Sequence, residues 1–417
     1  MGNTNTDPYF KKEITFKYEG IVFTFRVSQE LFSSQIVDNG TQRLLRTIAS
    51  QKIANYKKVL DLGCGYCPIA IVLKKINPQA SVEAVDKDAL ALEYTKQNSL
   101  LNKTEIKVYE SLGYDNVKGN NFDLIVSNIP AKVGSKVLTH MLLDANFHLA
   151  YNGMVAVVVI DAIFDEVSRV LKTNSNVQIL FEKSWPGHTV FHYKFIVSAE
   201  SKAKPAFLTG KYDQSDNQFI FNKEKIIVKT THNLPEFDTL NFETELVLKN
   251  LTSAIKGSNL SIAVINPGQG HIPIAILKLQ EVENLFLIGR DLQALEVSKR
   301  NLVLNGFTKV KINLLHQTDF SLEGTDVVDY IVGVIPEKLD TGIYEMLVRQ
   351  AALNLKTGGL FMAVSTSTVI YKIEKLLQAN KSFSVVSHDQ SKGKKLVIAR
   401  KQDSQWLSCV IIEKLLR

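Results

Sequence analysis

Residues 59–73 read V-L-D-L-G-C-G-Y-C-P-I-A-I-V-L, and these residues indicate the fold class. Its first four residues predict a buried strand, because apolar side chains surround a single aspartate. Gly63 and Gly65 predict a tight turn, since glycine adopts dihedral angles that other residues avoid. The P-I-A-I that follows predicts a helix that starts near Pro68. A strand, a G-x-G turn and a helix in this order are typical of an open α/β sheet with a ligand at the turn.

The same pattern occurs a second time in the chain. Residues 264–277 read V-I-N-P-G-Q-G-H-I-P-I-A-I-L, again a strand, a G-x-G turn and a helix. Three further segments are repeated: 40–45 as 243–248, 92–98 as 295–301, and 122–132 as 328–338. Repetition in the same order over this length indicates a tandem duplication of one domain.

The chain is also too long for one ordinary core, since it has 417 residues. We predict two domains, residues 1–204 and residues 205–417. Their join lies in 200–215, where polar residues accompany Pro205 and Gly210, as is typical of a domain boundary.

Each copy alternates apolar strands with amphipathic helices. In the first copy the predicted strands lie near 59–62, 81–85, 106–109, 122–127, 154–160 and 191–198, with helices such as 87–101 and 162–172 between most of them. This alternation predicts an α/β fold with an open parallel sheet and helices on both faces. Residues 10–28 predict a small hairpin around Glu19-Gly20.

The composition excludes several classes of protein. A hydrophobic fraction of 45% with 22% charged residues is that of a globular protein in water. No apolar run approaches the roughly 20 residues of a membrane helix, and the N-terminus lacks the pattern of a signal peptide. Three cysteines without framework spacing indicate a reducing compartment. We therefore expect a cytoplasmic protein without a membrane segment, whose oligomeric state stays open.

Charge and cysteine spacing bear on the partners. The net charge of +7 favours a polyanionic partner such as nucleic acid, because lysine and arginine contacts to phosphate supply much of that affinity.

Cys64 and Cys67 form a C-x-x-C, but no second ligand pair at matching spacing follows. We therefore expect no metal and interpret both cysteines as small residues inside the loop.

The ligand of such a sheet lies beyond the carboxyl ends of its strands. The first strand ends near Asp61, followed by Gly63 and Gly65, and the second ends at Asp86. A carboxylate at that second position can bind the ribose hydroxyls of a nucleoside. Because the loop lacks the third glycine of G-x-G-x-x-G, the pattern disfavours a dinucleotide.

The fourth strand of the first copy indicates the reaction. It ends in Ser127-Asn128-Ile129-Pro130. An asparagine held by a rigid proline can present its side-chain carbonyl, next to a backbone carbonyl, to a planar amino group. Such positioning does most of the work in a transfer of a methyl group to nitrogen. Asn128 and Pro130 are therefore the predicted catalytic residues.

At these residues the sequence resembles the class I methyltransferases of the small methyltransferase-domain family. That family includes bacterial enzymes that methylate guanine N2 in ribosomal RNA. The shared segments are D-L-G-C-G at 61–65, V-D at 85–86, S-N-I-P at 127–130 and V-D-N-G-T-Q-R-L-L at 37–45. The resemblance covers residues 10–200 well and 215–400 weakly.

The resemblance implies two tandem Rossmann-like domains, S-adenosylmethionine as the cofactor and ribosomal RNA as a partner. It implies that Asp61, Gly63, Gly65 and Asp86 hold the cofactor. In addition, Gly40 and Thr41 match the upstream motif, and Glu110 follows the third strand, where this fold usually meets the adenine. These three residues are therefore also predicted to line the cofactor site: Gly40, Thr41 and Glu110.

One position departs from the family. The RNA guanine enzymes carry N-P-P-F, with an aromatic residue that can stack on a base, where this chain has Ala131. Phe32, Tyr66 or Phe147 could replace that aromatic residue, although each is also a reasonable core residue. His188 could serve as a base, but loop packing is the simpler interpretation of it.

The second copy keeps the pattern and loses the chemistry. Aligned on the repeated G-x-G, Asp61 becomes Asn266. Asp86 becomes Gly289, with Asp291 two residues on, and Asn128 becomes Val334. We therefore predict a degenerate second domain that positions the substrate or stabilises the first. In the RNA guanine enzymes the degenerate copy comes first, so the order here is reversed.

The predicted function is methylation of a guanine N2 of ribosomal RNA that depends on S-adenosylmethionine. A protein glutamine or a small molecule is an alternative acceptor, because Ala131 leaves base specificity open. A non-catalytic RNA-binding or assembly factor is a third hypothesis. The presence of Asp86 and Asn128 in the first copy argues against it.

Overall fold

The structure is a computed structural model that describes residues 7–51, 56–199, 204–322 and 327–403. The chain divides into two compact units, Met1–Asp213 and Gln214–Arg417. This division lies inside the predicted join, but after residue 204. The segment past residue 204 belongs to the first unit because the Ala206 and Phe207 N–H groups donate to the Asp115 carboxylate, at 2.6 and 2.8 Å.

The first unit contains nine strands and five α-helices among its described residues. In chain order they are β1 (Phe10–Tyr18), β2 (Ile21–Ser28), α1 (Asn39–Ser50), β3 (Lys58–Leu62), α2 (Pro68–Ile76), β4 (Ser81–Asp86), α3 (Ala89–Leu101), β5 (Lys107–Glu110), β6 (Phe122–Asn128), α4 (Ser135–Leu143), β7 (Leu149–Ile160), α5 (Phe164–Thr173), β8 (Val177–Trp185) and β9 (His188–Phe195). β1 and β2 form the predicted hairpin, and the other seven strands form one sheet in the order β5-β4-β3-β6-β7-β9-β8.

The sheet of the first unit is mixed, so the prediction of a fully parallel sheet is wrong at one edge. Strands β5, β4, β3, β6 and β7 are parallel, whereas β9 is antiparallel to both β7 and β8. Only two residues, Pro186 and Gly187, connect β8 to β9, and such a short connection permits only antiparallel pairing. The sequence did not predict β8, because this strand is largely exposed and has no continuous apolar run.

The second unit repeats this architecture. Its elements are β10 (Asp213–Phe221), β11 (Glu224–Thr231), α6 (Phe242–Ala254), β12 (Leu260–Ile265), α7 (His271–Leu279), β13 (Val282–Gly289), α8 (Leu292–Leu304), β14 (Lys311–His316), β15 (Val328–Val334), α9 (Thr341–Asn354), β16 (Leu355–Thr366), α10 (Ser367–Ala379), β17 (Phe383–Ser391) and β18 (Lys394–Lys401). The sheet order β14-β13-β12-β15-β16-β18-β17 is that of the first unit, so the predicted tandem α/β duplication is confirmed.

The structure corrects the alignment of the two copies at their glycine loops. In the first unit the Asp123 carboxylate accepts a hydrogen bond from the Lys58 N–H, and in the second Asp329 accepts one from the Ser261 N–H, both at 2.8 Å. Lys58 and Ser261 are therefore equivalent. Three residues after them come Asp61 and Val264, so the counterpart of Asp61 is Val264.

Asn266 is instead the counterpart of Gly63. The Gly63 N–H donates to the Val85 carbonyl at 2.9 Å, and the Asn266 N–H donates to the Ile288 carbonyl at 2.8 Å. Aligning the two P-I-A-I segments places Asp61 opposite Asn266, which is wrong by two residues. The motif misleads because it starts at a different position in each helix. It begins at the first residue of α2 but at the third residue of α7.

Two asparagines hold the hairpin against the body of the first unit, Asn98 in α3 and Asn102, which directly follows α3. Asn98 accepts from the Arg26 N–H at 2.7 Å and donates to the Arg26 carbonyl at 3.1 Å. Asn102 binds the Thr24 backbone in the same way, at 3.1 and 2.7 Å. Each amide therefore acts like one residue of a neighbouring strand. In the second unit Asn301 and Asn305 make the equivalent bonds.

Among the described residues, no helix combines the length and apolar composition that a membrane span requires.

Candidate active site

The predicted site residues of the first unit gather at one edge of the sheet. Strands β4, β3 and β6 are neighbours and run parallel, so their carboxyl ends meet. These ends carry Asp86, the loop that follows Leu62, and Asn128. This is the edge at which open α/β sheets bind their ligands.

The glycine loop has a backbone that glycine accommodates best. Gly63 and Gly65 have φ angles of 73° and 58°, in the left-handed region. No described atom lies within 4 Å of the position that a Cβ would take at either residue. The loop therefore presents bare backbone to an open space, as a close ligand requires.

Asp61 lies beneath this loop and is 1% exposed. Its Oδ2 accepts from the Ala70 N–H at 3.1 Å, while Oδ1 has no partner among the described residues. Burial raises the pKa of Asp61 to about 7. A buried carboxylate oxygen without a donor is rare in proteins, so a ligand donor fits this position.

Asp86 is bound to the protein through one hydrogen bond at each oxygen. Oδ2 accepts from the Gly65 N–H at 2.9 Å and Oδ1 from the Asp88 N–H at 3.0 Å. Burial raises the pKa of this carboxyl. Since a carboxylate oxygen has two lone pairs, each oxygen keeps one for a ligand hydroxyl.

Asp88 resolves the role of Asp291 in the second unit. Asp88 caps α3 by accepting from the Leu90 N–H at 2.9 Å, and Asp291 caps α8 by accepting from the Gln293 N–H at 2.9 Å. Asp291 is therefore the counterpart of Asp88. The counterpart of Asp86 is Gly289, which has no side chain to bind a hydroxyl.

Asn128 is oriented by two residues at the N-terminus of α1. Its Nδ2 donates to Asp38 Oδ2 at 2.9 Å and to Thr41 Oγ1 at 3.2 Å. Because a carboxylate only accepts hydrogen bonds, Asp38 fixes which end of the amide is the nitrogen. Asn128 Oδ1 makes no hydrogen bond within the described part of the chain. It is therefore available to a ligand N–H.

Gly40, Thr41 and Glu110 occupy different parts of this edge. Thr41 contacts Asn128, and a Cβ on Gly40 would lie 2.7 Å from the His188 ring. Glu110 ends β5 and pairs with Asp86 in the ladder. Their assignment to the cofactor stays a prediction.

Asp38 and Arg43 are candidate site residues that the sequence did not single out. Asp38 Oδ1 lies 3.8 Å from His188 Nε2, and an Arg43 guanidinium nitrogen lies 3.3 Å from His188 Nδ1. Asp38 is the N-cap of α1, and its side chain accepts from the Thr41 N–H. The capping pattern of an aspartate before a helix was the signal that could have revealed it.

The three aromatic candidates lie in different surroundings. Tyr66 is buried, and its hydroxyl lies 3.5 Å from the Ser33 carbonyl. Phe147 lines a cavity with Tyr114 and His148, next to the segment that leads into the start of β6. Phe32 is 71% exposed. None of these three residues contacts Asn128 through a described hydrogen bond or ring contact.

The equivalent edge of the second unit lacks these groups. Val264, Gly289 and Val334 stand at the positions of Asp61, Asp86 and Asn128. Asn266 donates from Nδ2 to the Val334 carbonyl at 2.9 Å, across the space between the two strand ends. The Asn266 side chain thus ties the loop to the end of β15.

Two buried side chains occupy the neighbouring space in the second unit. Glu236 Oε2 lies 3.4 Å from His271 Nδ1, and both side chains are buried. Burial opposes ionisation of Glu236, but the contact with His271 outweighs it and leaves the pKa of Glu236 below its usual value. This pair lines a cavity with Asn266, Gly268 and Thr244.

Comparison with known protein families gives two matches along the chain. The methyltransferase small domain family matches residues 22–193 and again residues 225–397. The two matches coincide with the two sheets and their helices, and together they cover most of the chain.

Curated relatives match only part of the chain. A ribosomal RNA small subunit methyltransferase C of Haemophilus influenzae is 36% identical over 132 residues, which cover 31% of this chain and 39% of the relative. The chain thus spans about two fifths of that relative's length. An uncharacterised protein, YbxB, of Bacillus subtilis is 28% identical over 176 residues, covering 39% of this chain and 87% of the relative.

A solved structure matches nearly the whole chain. It is the Thermus thermophilus 16S rRNA N2 G1207 methyltransferase in complex with AdoMet and guanosine. The TM-score is 0.68 at 15% identity, with 94% of this chain and 98% of the other covered. At this identity the likeness concerns the fold, and it confirms the tandem arrangement of two Rossmann-like domains.

Proposed function

Since this chain belongs to the methyltransferase small domain family, we propose that its first unit transfers a methyl group from S-adenosylmethionine to an amino nitrogen. We propose further that the acceptor is guanine N2 of ribosomal RNA. The second unit, in this proposal, is degenerate and carries no transfer chemistry.

The arrangement of Asn128 carries the proposal. Its amide nitrogen is engaged by Asp38 and Thr41, so Oδ1 is the atom left for a ligand. The next residue, Ile129, donates its N–H to the Val158 carbonyl at 2.9 Å, and its own carbonyl accepts no bond from the described residues. Pro130 restricts the backbone at that point. Two acceptors at the end of β6 suit the two hydrogens of a planar amino group.

The first unit also fits S-adenosylmethionine. Asp61 Oδ1 is buried without a donor, and the cofactor's amino group could supply one. The bare backbone at Gly63 and Gly65 allows close approach, and the free lone pairs of Asp86 suit two ribose hydroxyls. Glu110 lies beside Asp86, at the place where we predict the adenine.

Methyl transfer at this edge depends mainly on how the acceptor nitrogen is positioned relative to the methyl group. When bound, the cofactor supplies a methyl group on a positively charged sulfur. Asn128 Oδ1 and the Ile129 carbonyl hold the N–H hydrogens of the acceptor, so that the nitrogen lone pair faces the space above Gly63 and Gly65. Alignment of this kind can lower a barrier by about 7–11 kcal/mol in favourable cases. Within this scheme Asp38 and Thr41 are positioning residues for Asn128.

The choice of RNA guanine rests on the relatives and on charge. The Haemophilus influenzae relative is named as a ribosomal RNA methyltransferase, and the Thermus thermophilus structure holds guanosine. The net charge of +7 suits a polyanion. Ribosomal RNA as the substrate would place the protein in the cytoplasm.

One observation favours a second candidate function. Ala131 follows the proline at the position where the RNA guanine enzymes carry an aromatic residue. An acceptor amide of a protein or a small molecule does not need a stacking partner there. Methylation of a protein glutamine or a small amine is therefore the alternative.

Transfer of a labelled methyl group tests these proposals together. The full-length chain is incubated with labelled S-adenosylmethionine and either ribosomal RNA or total protein. We expect label in RNA, at guanine N2, and a loss of at least about 100-fold in Asn128→Ala, because the amine is no longer held. Val334→Ala, the matched change in the second unit, should leave the rate unchanged. Equal labelling by Asn128→Ala would remove Asn128 from the mechanism, and label in protein alone would favour the alternative.

A further inference from the structure

The turn between β8 and β9 extends past the end of β6 at the active-site edge of the first unit. Asn128 is paired with Val158 of β7, whereas β7 and β9 stay paired up to Ile160 and His188, two residues further along. Trp185 is the hairpin partner of His188. Trp185 therefore lies at the edge to which the predicted substrate must come.

This turn is fixed by several contacts. The Gly187 N–H donates to Asp161 Oδ2 at 3.1 Å, and the Asp161 N–H donates to the Gly187 carbonyl at 3.3 Å. Arg43 of α1 donates to the Pro186 carbonyl at 2.9 Å. Gly187 has a φ of 88°, and Pro186 before it fixes its own φ, so the turn has little freedom. The backbone of the turn that carries Trp185 is thus fixed by contacts within the first unit.

Two cations flank the Trp185 ring. The Arg43 guanidinium carbon lies 5.5 Å and Lys183 Nζ 5.1 Å from the ring centroid, and the ring is only partly buried. Arg43 is retained by its bonds to Pro186 and His188. Lys183 is exposed and forms no hydrogen bond or ion pair with the described residues, so it can move from the ring to a phosphate. An aromatic ring with cations close to it suits a nucleobase and its backbone.

The second unit provides an internal comparison. Its hairpin keeps the same backbone: Gly393 has a φ of 78°, and its carbonyl accepts from the Ser367 N–H at 3.3 Å, as Gly187 does from Asp161. The side chains around that turn differ: Ser391 replaces Trp185, Lys394 replaces His188, Asp389 replaces Lys183 and Leu246 replaces Arg43. The second turn has a different cation–ring contact, in which Lys392 Nζ lies 4.2 Å from the Phe242 ring centroid. The fold therefore does not require the particular group of Trp185, Lys183 and Arg43, which occurs in the unit that also carries Asp86 and Asn128.

Strand spacing decides which base Trp185 can reach. In the sheet, β6 and β8 are separated by β7 and β9. Three interstrand spacings of about 4.8 Å place the two backbones about 14 Å apart. At that separation Trp185 lies to the side of the base whose amine Asn128 holds, where a neighbouring base of the same strand would come.

We propose that Trp185 stacks on an unpaired base that flanks the methylated nucleotide, while Lys183 and Arg43 contact the adjoining phosphates. This inference rests on the proposed function, since it takes Asn128 as the point where the target base is held. It assigns the substrate class as a single-stranded segment of RNA rather than a base within a duplex, because only an unpaired flanking base exposes a face for stacking.

Tryptophan fluorescence tests the contact without any methyl transfer. The chain has two tryptophans, Trp185 and Trp406, and Trp406 lies outside the described residues. In Trp406→Phe, emission comes from Trp185 alone. We expect a guanine-containing, unpaired RNA oligonucleotide to quench it in a saturable way, and a duplex of the same sequence to quench it much less.

Kinetics with the full-length enzyme supply the second readout. Trp185→Ala should raise KM for RNA about 10-fold or more, while kcat and the affinity for S-adenosylmethionine change little. Trp185→Phe, which keeps a stacking ring, should recover most of the loss. Tyr151→Ala is the matched control, because Tyr151 is 86% exposed but lies near the start of β7, away from this edge.

The outcomes separate the two proposals. Methylation of RNA by the wild type without quenching in Trp406→Phe would overturn the role of Trp185 and leave the function intact. Quenching by unpaired RNA without methyl transfer would overturn the function and support the contact. If neither occurs, both proposals fail, and equal quenching by the duplex would overturn the assignment to single-stranded RNA.

Discussion

At the scale of single residues, Asp61 lowers the stability of the folded chain when it is ionised, because its carboxyl is buried. Its carboxyl is buried, and burial raises its pKa to about 7, well above its value in an unfolded chain. Between about pH 4 and pH 7 the unfolded chain has therefore released a proton that the folded chain retains. The contribution of this group to stability falls as the pH rises through that range. A ligand that donates to Oδ1 would explain why a carboxylate stands here.

We therefore predict that Asp61→Asn changes the pH dependence of stability. The free energy of unfolding of the variant, relative to wild type, should rise by about 2–3 kcal/mol between pH 5 and pH 8, because only the wild type loses stability there. Urea denaturation at several pH values measures this. The same variant should bind S-adenosylmethionine more weakly. Asn128→Ala, which removes no ionisable group, is the control, and parallel curves for Asp61→Asn and wild type would contradict the prediction.

Thr41 is the residue for which structure and sequence suggest different roles. The sequence predicts that it binds the cofactor, whereas its hydroxyl accepts from Asn128 Nδ2 at 3.2 Å. If Thr41 positions Asn128, Thr41→Val should lower kcat about 10-fold and leave the affinity for S-adenosylmethionine within about 2-fold. Thr41→Ser should restore the rate, and Thr244→Val in the second unit is the control. Weaker cofactor binding with an unchanged kcat would return Thr41 to the role predicted from sequence.

At the scale of elements, the hairpin of each unit depends on asparagines rather than on apolar contact alone. Asn98 is fully buried and binds the Arg26 backbone through both ends of its amide, and Asn301 binds Lys229 in the same way. Removing such a group leaves buried backbone N–H and C=O groups unpaired, which costs about 1–3 kcal/mol each.

We predict that Asn98→Ala loosens the first hairpin alone. Amide hydrogen exchange should become faster in β1 and β2, while β10 and β11 keep their protection. Asn301→Ala is the matched change in the second unit. It should speed amide exchange in β10 and β11, while β1 and β2 keep their protection. Equal exchange in all four strands for both variants would mean that apolar packing, and not the amides, holds the hairpins.

The sequence predicted most of the fold because buried strands give continuous apolar runs. Val59 to Leu62 and the other central strands lie where this pattern placed them. It failed for β8, whose alternating and largely exposed side chains carry no such run. It also failed in the register of the two glycine loops, where Pro68 and Pro273 occupy different positions of equivalent helices. Proline is tolerated throughout a first helical turn, so a repeated proline does not fix the alignment.

The sequence predicted those residues of the candidate site that lie at the ends of strands. Asp86 and Asn128 each end a strand, and the topology brings these ends together. Asp38 and Trp185 come from a helix cap and from a hairpin turn. Their proximity to the site depends on tertiary packing between segments that are distant in sequence, which no local pattern encodes.

At the scale of the whole molecule, the duplication separates fold from chemistry. Both units keep the same sheet order and the same buried asparagines in the helix that holds the hairpin. The second unit has Val264, Gly289 and Val334 where the first has Asp61, Asp86 and Asn128. Since the second unit retains a complete sheet without these groups, their presence in the first unit is not explained by folding.

We predict that the full-length chain binds one molecule of S-adenosylmethionine. At the position of Asp86 the second unit has Gly289, which offers no carboxylate for the ribose, and Glu236 and His271 occupy space beside its loop. Isothermal titration calorimetry should give one site per chain. Asp86→Ala should weaken that site about 10- to 100-fold, because hydrogen bonds to a charged acceptor are lost.

The reverse substitution tests whether one carboxylate suffices for binding. Gly289→Asp places a carboxylate at the position of Asp86, and a Cβ there would lie 3.6 Å from Asn266 Oδ1, an ordinary contact. We expect the stoichiometry to stay at one, since Val264 still supplies no acceptor and the loop remains closed by the bond from Asn266 to Val334. A second site in the wild type would show that the second unit is not degenerate. A second site created only by Gly289→Asp would show that the ribose carboxylate alone separates the two units.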